Sequence, residues 1–199
     1  MRWRYPDPNA VDENNLRLRV MKSIDAWWSA FSEEAPTIRE VFRNKAQMDL
    51  PKWMHENLQC IHPDLCWEFG PGIANKNGDR LVITPESNRH LRPFVDALLS
   101  RQPKLPDWEL FAYRPAEDLT MALESVKART RGDISGARVT VRHGTHNLID
   151  LIYHHPQAED LKQSRHEAFV ATESLLGEEI LDHWIGGIDA EAMPSPTGI

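Results

Sequence analysis

The chain has 199 residues, 41% of them hydrophobic and 27% charged, with two cysteines and a formal net charge of −7. Such a chain buries roughly 70% of its extended surface on folding, which excludes wholesale disorder, a collagen-like repeat and a disulfide scaffold. The acidic balance disfavours nucleic acid and anionic membranes as partners and suits a basic protein.

No apolar run is long enough for a secretory signal or a membrane span, and the sparse cysteines fit a reducing compartment, so the expected location is the cytoplasm. Residues 1–12 read as a tail rich in Pro and Asp, with Trp3 set between Arg2 and Arg4. From about Asn14, Val20, Ile24, Trp27, Trp28 and Phe31 recur at helical spacing. Pro36 is expected to reset the chain before a second helical pattern over Ile38, Val41 and Phe42. Asp49 is a candidate N-cap, with Pro51 in the first turn, for a helix carrying Trp53, Met54, Leu58 and Ile61.

The period then changes. Leu65, Trp67 and Phe69 alternate with Cys66 and Glu68, as in a strand. Asn77-Gly78 marks a hairpin turn, and Arg80–Thr84 is the return strand. A helix is expected from Pro85 and Glu86, with Leu91, Phe94, Val95, Leu98 and Leu99 on its apolar face. Trp108–Tyr113 is the next strand. The same plan follows again: a helix over Leu119–Val126, strands around Val139 and Val141 and over Leu148–Tyr153, and a helix over 158–175 closed by Gly177. A last strand is expected over Ile180–Ile188.

The expected fold is therefore α+β, with two αββαβ units after an N-terminal helical segment, mixed sheets, and helices on one face. Residues 13–115 hold the N-terminal helices and the first unit, residues 116–190 the second, and 191–199 a tail. The inward set of the first unit is Trp67, Phe69, Leu81, Ile83, Leu91, Phe94, Leu98 and Phe111.

The segments IHPDL, WEFGPG, DRLVITPES and LPDWELFAYRP, then NLIDLIYHH and EAFVATESLLGEEILDHWIGGID, carry a resemblance. Over roughly residues 37–190 the chain resembles an uncharacterised bacterial domain family. Members of that family are sometimes joined to a segment similar to the ribonuclease E regulatory inhibitor B. The resemblance transfers no catalytic residue and implies, by association, a role in protein interaction.

The chemistry-bearing residues give several candidate groups. His55, Cys60, His62 and Cys66 are soft ligands within a short span, yet they lack a Cys-x-x-Cys pair, and ordinary packing competes with zinc. His143, His146 and Asp150 flank one hairpin and are the candidate metal set, although strand alternation works against their convergence. Glu68 and Arg80, with Arg114 and Glu117, form a polar group near the first sheet whose simplest reading is an ion pair. No G-x-S-x-G, phosphate-loop or dinucleotide fingerprint is present.

No cofactor is called for. The leading expectation is a non-enzymatic protein-binding module, an inhibitor or immunity-type protein for a basic partner. The alternative is a metal-dependent hydrolase using histidines of the second half. Binding is expected to use Trp3 and an acidic face made by Glu173, Glu178, Glu179 and Asp182, with Glu159 and Asp160 nearby.

Overall fold

The computed structural model describes residues 11–86, 88–155 and 160–193. The fold is α+β, and the chain divides between Ala112 and Tyr113 into two compact units. Trp3 and Glu159 lie outside the described residues.

The first unit starts with α1 (Val11–Phe42) and α2 (Leu50–Asn57). Its strands are β1 (Cys66–Pro71), β2 (Asp79–Thr84) and β3 (Trp108–Phe111), with α3 (Arg92–Leu99) between the last two. The hairpin β1–β2 is antiparallel and β3 returns parallel to β2, so β2 is central. A parallel return requires a crossover, which α3 supplies. Leu81 and Ile83 of β2 face the helices, joining Ile24, Trp27, Phe31, Ile38, Met54, Leu58 and Leu98 in one core. Trp27 stacks on Phe31 at 5.3 Å between ring centroids, and Phe31 meets Trp108 edge-on at 5.0 Å.

Pro36 does not reset the chain. It lies inside α1, which continues to Phe42. An interior proline costs a helix about 3 kcal/mol. Burial of Phe31, Ala35 and Ile38 on either side of it offsets that cost. The far end of α1 is then tied to the sheet. Arg39 Nε donates to Asp79 Oδ2 at 2.8 Å, its Nη2 donates to the Asn77 carbonyl at 2.8 Å, and the guanidinium also pairs with Asp107.

The cap on α2 is as expected: the Asp49 side chain accepts from the Lys52 amide, and proline occupies the first turn. The third helix begins later than Pro85. Glu86 has a φ of 49°, incompatible with a helical start, and its amide donates to Thr84 Oγ1 at 3.0 Å. A short 3-10 turn over Arg89–Leu91 intervenes, and α3 starts at Arg92 with a proline in its first turn.

The second unit repeats the order. It comprises α4 (Leu119–Thr130), β4 (Arg138–His143), β5 (Ile149–His155), α5 (Leu161–Leu176), α6 (Glu178–Trp184) and β6 (Ile185–Ala192). The hairpin β4–β5 is antiparallel, β6 is parallel to β5, and β5 is central. Val126, Ile134, Leu151, Tyr153, Ala168, Val170, Ala171 and Ile185 form its core.

The expected strand over Ile180–Ile188 is corrected: Glu178–Trp184 is helical, and β6 runs further, to Ala192. Gly177, at a φ of 77°, ends α5. The Glu178 amide then donates to the Arg114 carbonyl at 2.9 Å, while the Arg114 amide donates to the Glu178 carboxylate at 3.0 Å. This reciprocal pair restarts a helix whose first turn is acidic, the favoured sign for that end.

The inward set of the first unit is also amended. Leu81, Ile83, Leu91, Phe94 and Leu98 are buried, whereas Trp67, Phe69 and Phe111 are half-buried. Trp67 and Phe69 lie on β1, an edge strand, on the same face as Leu81 and Ile83, whereas Phe111 falls in register with Val82 and so lies on the opposite face of the sheet. Trp27→Ala is expected to cost about 3–5 kcal/mol in urea unfolding, and Trp67→Ala clearly less, because its ring already touches water.

Candidate functional site

The acidic residues expected to form one binding face part into two environments. Glu173, on the inner side of α5, is buried and accepts from two arginines. Arg114 Nη1 lies 3.2 Å from its Oε1, and Arg129 Nη1 lies 2.6 Å from its Oε2. Glu178 is buried against the Arg114 backbone. These two carboxylates are internal struts and are withdrawn from any surface. Helical periodicity alone could not show this, because the arginines that claim them come from a preceding loop and from α4. Asp160 caps α5, accepting from the Lys162 and Gln163 amides at 2.9 and 3.2 Å.

Glu179 and Asp182 remain on α6, the first exposed and the second half-buried. They flank a feature that a strand reading of this segment concealed. Ile180 and Trp184, one helical turn apart, are 45% and 58% exposed. Beside them the His183 ring lies 5.9 Å from Tyr113. The result is a short helix presenting an isoleucine and a tryptophan with carboxylates alongside.

His143, His146 and Asp150 do not converge. Residues of β4 pair with β5 so that His143 opposes Ile149 and Arg142 opposes Asp150, which places His143 and Asp150 on opposite faces of the sheet. His146 sits in the turn at a φ of 56°. Asp150 is enclosed instead by glycines: a methyl group on Gly144, Gly186 or Gly187 would crowd its carboxylate. The cysteine-bearing group is likewise dispersed. Cys60 is exposed and donates to the Glu56 carbonyl at 2.9 Å, while His62 accepts from the Asp64 amide at 3.2 Å and meets Phe94 edge-on. Among the described residues no three His, Cys, Asp or Glu side chains are grouped to hold a metal ion. No helix among them is long and apolar enough to cross a membrane.

The polar group of the first sheet is an ion pair. Arg80 Nη2 lies 3.1 Å from Glu68 Oε1, on a diagonal of the β1–β2 register rather than directly across it. Beyond Arg80, Glu109 of β3 accepts from the Ile73 and Asn75 amides at 3.1 and 2.6 Å and so fastens the hairpin loop. Those amides, the Asn75 one foremost, hold the Glu109 carboxyl below its ordinary range, with a smaller contribution from Arg80. Arg114 and Glu117 belong to the second unit, where Arg114 pairs with Glu173 and Glu117 accepts from Ser125 at 2.8 Å.

The inner layer of the second unit is polar to an unusual degree. His155 Nε2 lies 2.9 Å from Glu167 Oε2, off the line of a hydrogen bond, with both side chains buried. Gln163 donates to Glu167 Oε1 at 2.9 Å, and Gly132 leaves the space that the same carboxylate fills. Tyr153 shares a 2.9 Å hydrogen bond with Thr172. Burial pushes the Tyr153 phenol up, and that bond acts in the opposite direction.

Two outcomes follow. Glu173→Ala should destabilise the protein by about 3 kcal/mol in urea unfolding, since it removes the charged hydrogen bonds from Arg114 and Arg129 to a buried carboxylate. Glu109 has a lowered pKa in the folded state, so its stabilising contribution is complete above the unfolded carboxyl value near about 4.3 and is lost as pH falls through the folded value. Wild type should therefore exceed Glu109→Gln in stability at neutral pH, and the two acid-unfolding curves should converge at low pH.

Comparison of the chain with protein-family models, with curated proteins and with solved structures gives no match.

Proposed function

We propose that this chain is a non-enzymatic, cytoplasmic protein-binding module, an inhibitor or immunity-type protein whose partner is basic. The observation that carries the reading is the exposed pair Ile180 and Trp184 on α6, with Glu179 and Asp182 beside it. A large aromatic left in water with an aliphatic neighbour is the usual form of an interface anchor. Carboxylates at its rim add long-range attraction for a cationic surface and raise the association rate. The net charge of −7 acts in the same direction. The resemblance to a family found beside a nuclease-regulating segment supports the reading by association.

This version differs from an interface built on Glu173 and Glu178, because those carboxylates hold the fold together. Only Glu179 and Asp182 of the four are left to steer a partner.

The test is a comparison of proteins captured by immobilised wild type and by the variant Ile180→Ala/Trp184→Ala. A basic protein retained by wild type should be lost from the variant. Its association rate should fall with added salt, and less steeply after Glu179→Gln/Asp182→Asn. Equal capture by both forms would overturn the reading.

A further inference from the structure

Among the described residues, the hairpin of the second unit leaves β4 at the edge of its sheet, paired with β5 on one side only. The pairing phase is set at the turn, where the Gly144 amide donates to the directly opposed Leu148 carbonyl at 2.8 Å. Hydrogen-bonded and non-bonded pairs alternate from there in an antiparallel ladder. Arg142, Thr140 and Arg138 therefore turn their backbone groups toward β5, whereas His143, Val141 and Val139 turn theirs outward.

The side chains of this edge sort by face. Val139 and Val141 lie on the helix-covered face, in line with Tyr153 and Leu151, yet they are 45% and 65% exposed. Arg138 and Arg142 project from the opposite face, both exposed, and among the described residues neither guanidinium has a hydrogen-bond or ion-pair partner. The strand RVTVRH holds no acidic residue, in a chain whose net charge is −7. The nearest carboxylate on the arginine face, Asp150, is one strand further in and walled by glycines.

We infer that β4 is a docking edge for an extended acidic segment of a partner protein, which adds as a further strand beside it. The outward amides and carbonyls of Val139, Val141 and His143 supply the ladder. Apolar residues of the segment extend the Val139–Val141 row, and its carboxylates, alternating with them, meet Arg138 and Arg142 on the other face. A second copy of β4 is a poor occupant, because antiparallel self-pairing brings arginines against arginines. The inference extends the protein-binding reading to a second surface and rests on β4 alone, independently of α6.

The probe is a capped peptide of about eight residues alternating glutamate with valine, long enough to span β4 at roughly 3.3 Å per residue. Its lysine–valine counterpart is the control. Both are titrated into the full chain while amide exchange is followed. The glutamate peptide should bind saturably, weaken with salt, and slow exchange at Val139, Val141 and His143.

Val141→Pro removes an outward donor that no other strand pairs with among the described residues, so binding should fall at least about tenfold. The inward amides of Arg138, Thr140 and Arg142 should stay protected. Arg138→Glu/Arg142→Glu, at exposed positions, should reverse the preference toward the lysine peptide. The Ile180→Ala/Trp184→Ala protein should bind the glutamate peptide as wild type does, which separates failure of the α6 reading from failure of this one. Absence of saturable binding, equal affinity for both peptides, or unchanged binding by Val141→Pro would overturn the inference.

Discussion

In each unit the decisive constraint is the pairing of one strand on both sides. The hairpin gives β2 and β5 an antiparallel neighbour, and the helical crossover returns a parallel one. Backbone polar groups of these strands are satisfied within the sheet, so their side chains can be buried without penalty. Leu81, Val82 and Ile83, and Leu151, Ile152 and Tyr153, accordingly form unbroken buried runs. The outer strands inherit the complementary condition of partial cover, each with one backbone edge unpaired by any strand among the described residues. The half-buried Trp67 and the exposed Val141 are two expressions of that arrangement.

The two units close their interiors by different means. The first relies on aromatic packing around Phe31 and Trp27, with its ion pairs at the margins, where Arg39 meets Asp79 and Arg80 meets Glu68. The second places carboxylates inside: Glu167 with His155 and Gln163, Glu173 with two arginines, Glu178 with a backbone amide. Buried pairs of this kind gain little net stability over apolar packing, because desolvation consumes the attraction. They do penalise alternative arrangements of α4 and α5, since each would leave a charge buried alone.

The plan of the fold was legible because hydrophobic period switches from helical to alternating at the same places in both halves, and turn residues such as Asn77-Gly78 punctuate it. Helix limits were less so. Pro36 carries a local signal to stop, and only the apolar residues around it, packed on a distant sheet, override that signal. Segment 180–188, with Ile180, Leu181, Trp184, Ile185 and Ile188, is apolar enough for a strand, and the helix over its first half is set by Arg114, far away in sequence. The same nonlocality hid the fate of Glu173 and Glu178, whose partners no spacing rule identifies. Trp184 was visible as a tryptophan, but its exposure depended on the helix that presents it.

The enclosure of Asp150 has a mechanical consequence. Opposite Ile149 and Asp150 the β5–β6 register slips by one residue, so that Ile188 and Ala190, rather than Gly187 and Asp189, fall in line with Leu151 and Tyr153. The carboxylate occupies the notch that Gly186 and Gly187 open, as well as the space above Gly144. Sliding β6 along β5 in either direction would drive a residue with a Cβ into that space. Asp150 thus acts as a pin that indexes a parallel pair of strands, a pairing that otherwise has only evenly spaced hydrogen bonds to oppose shear.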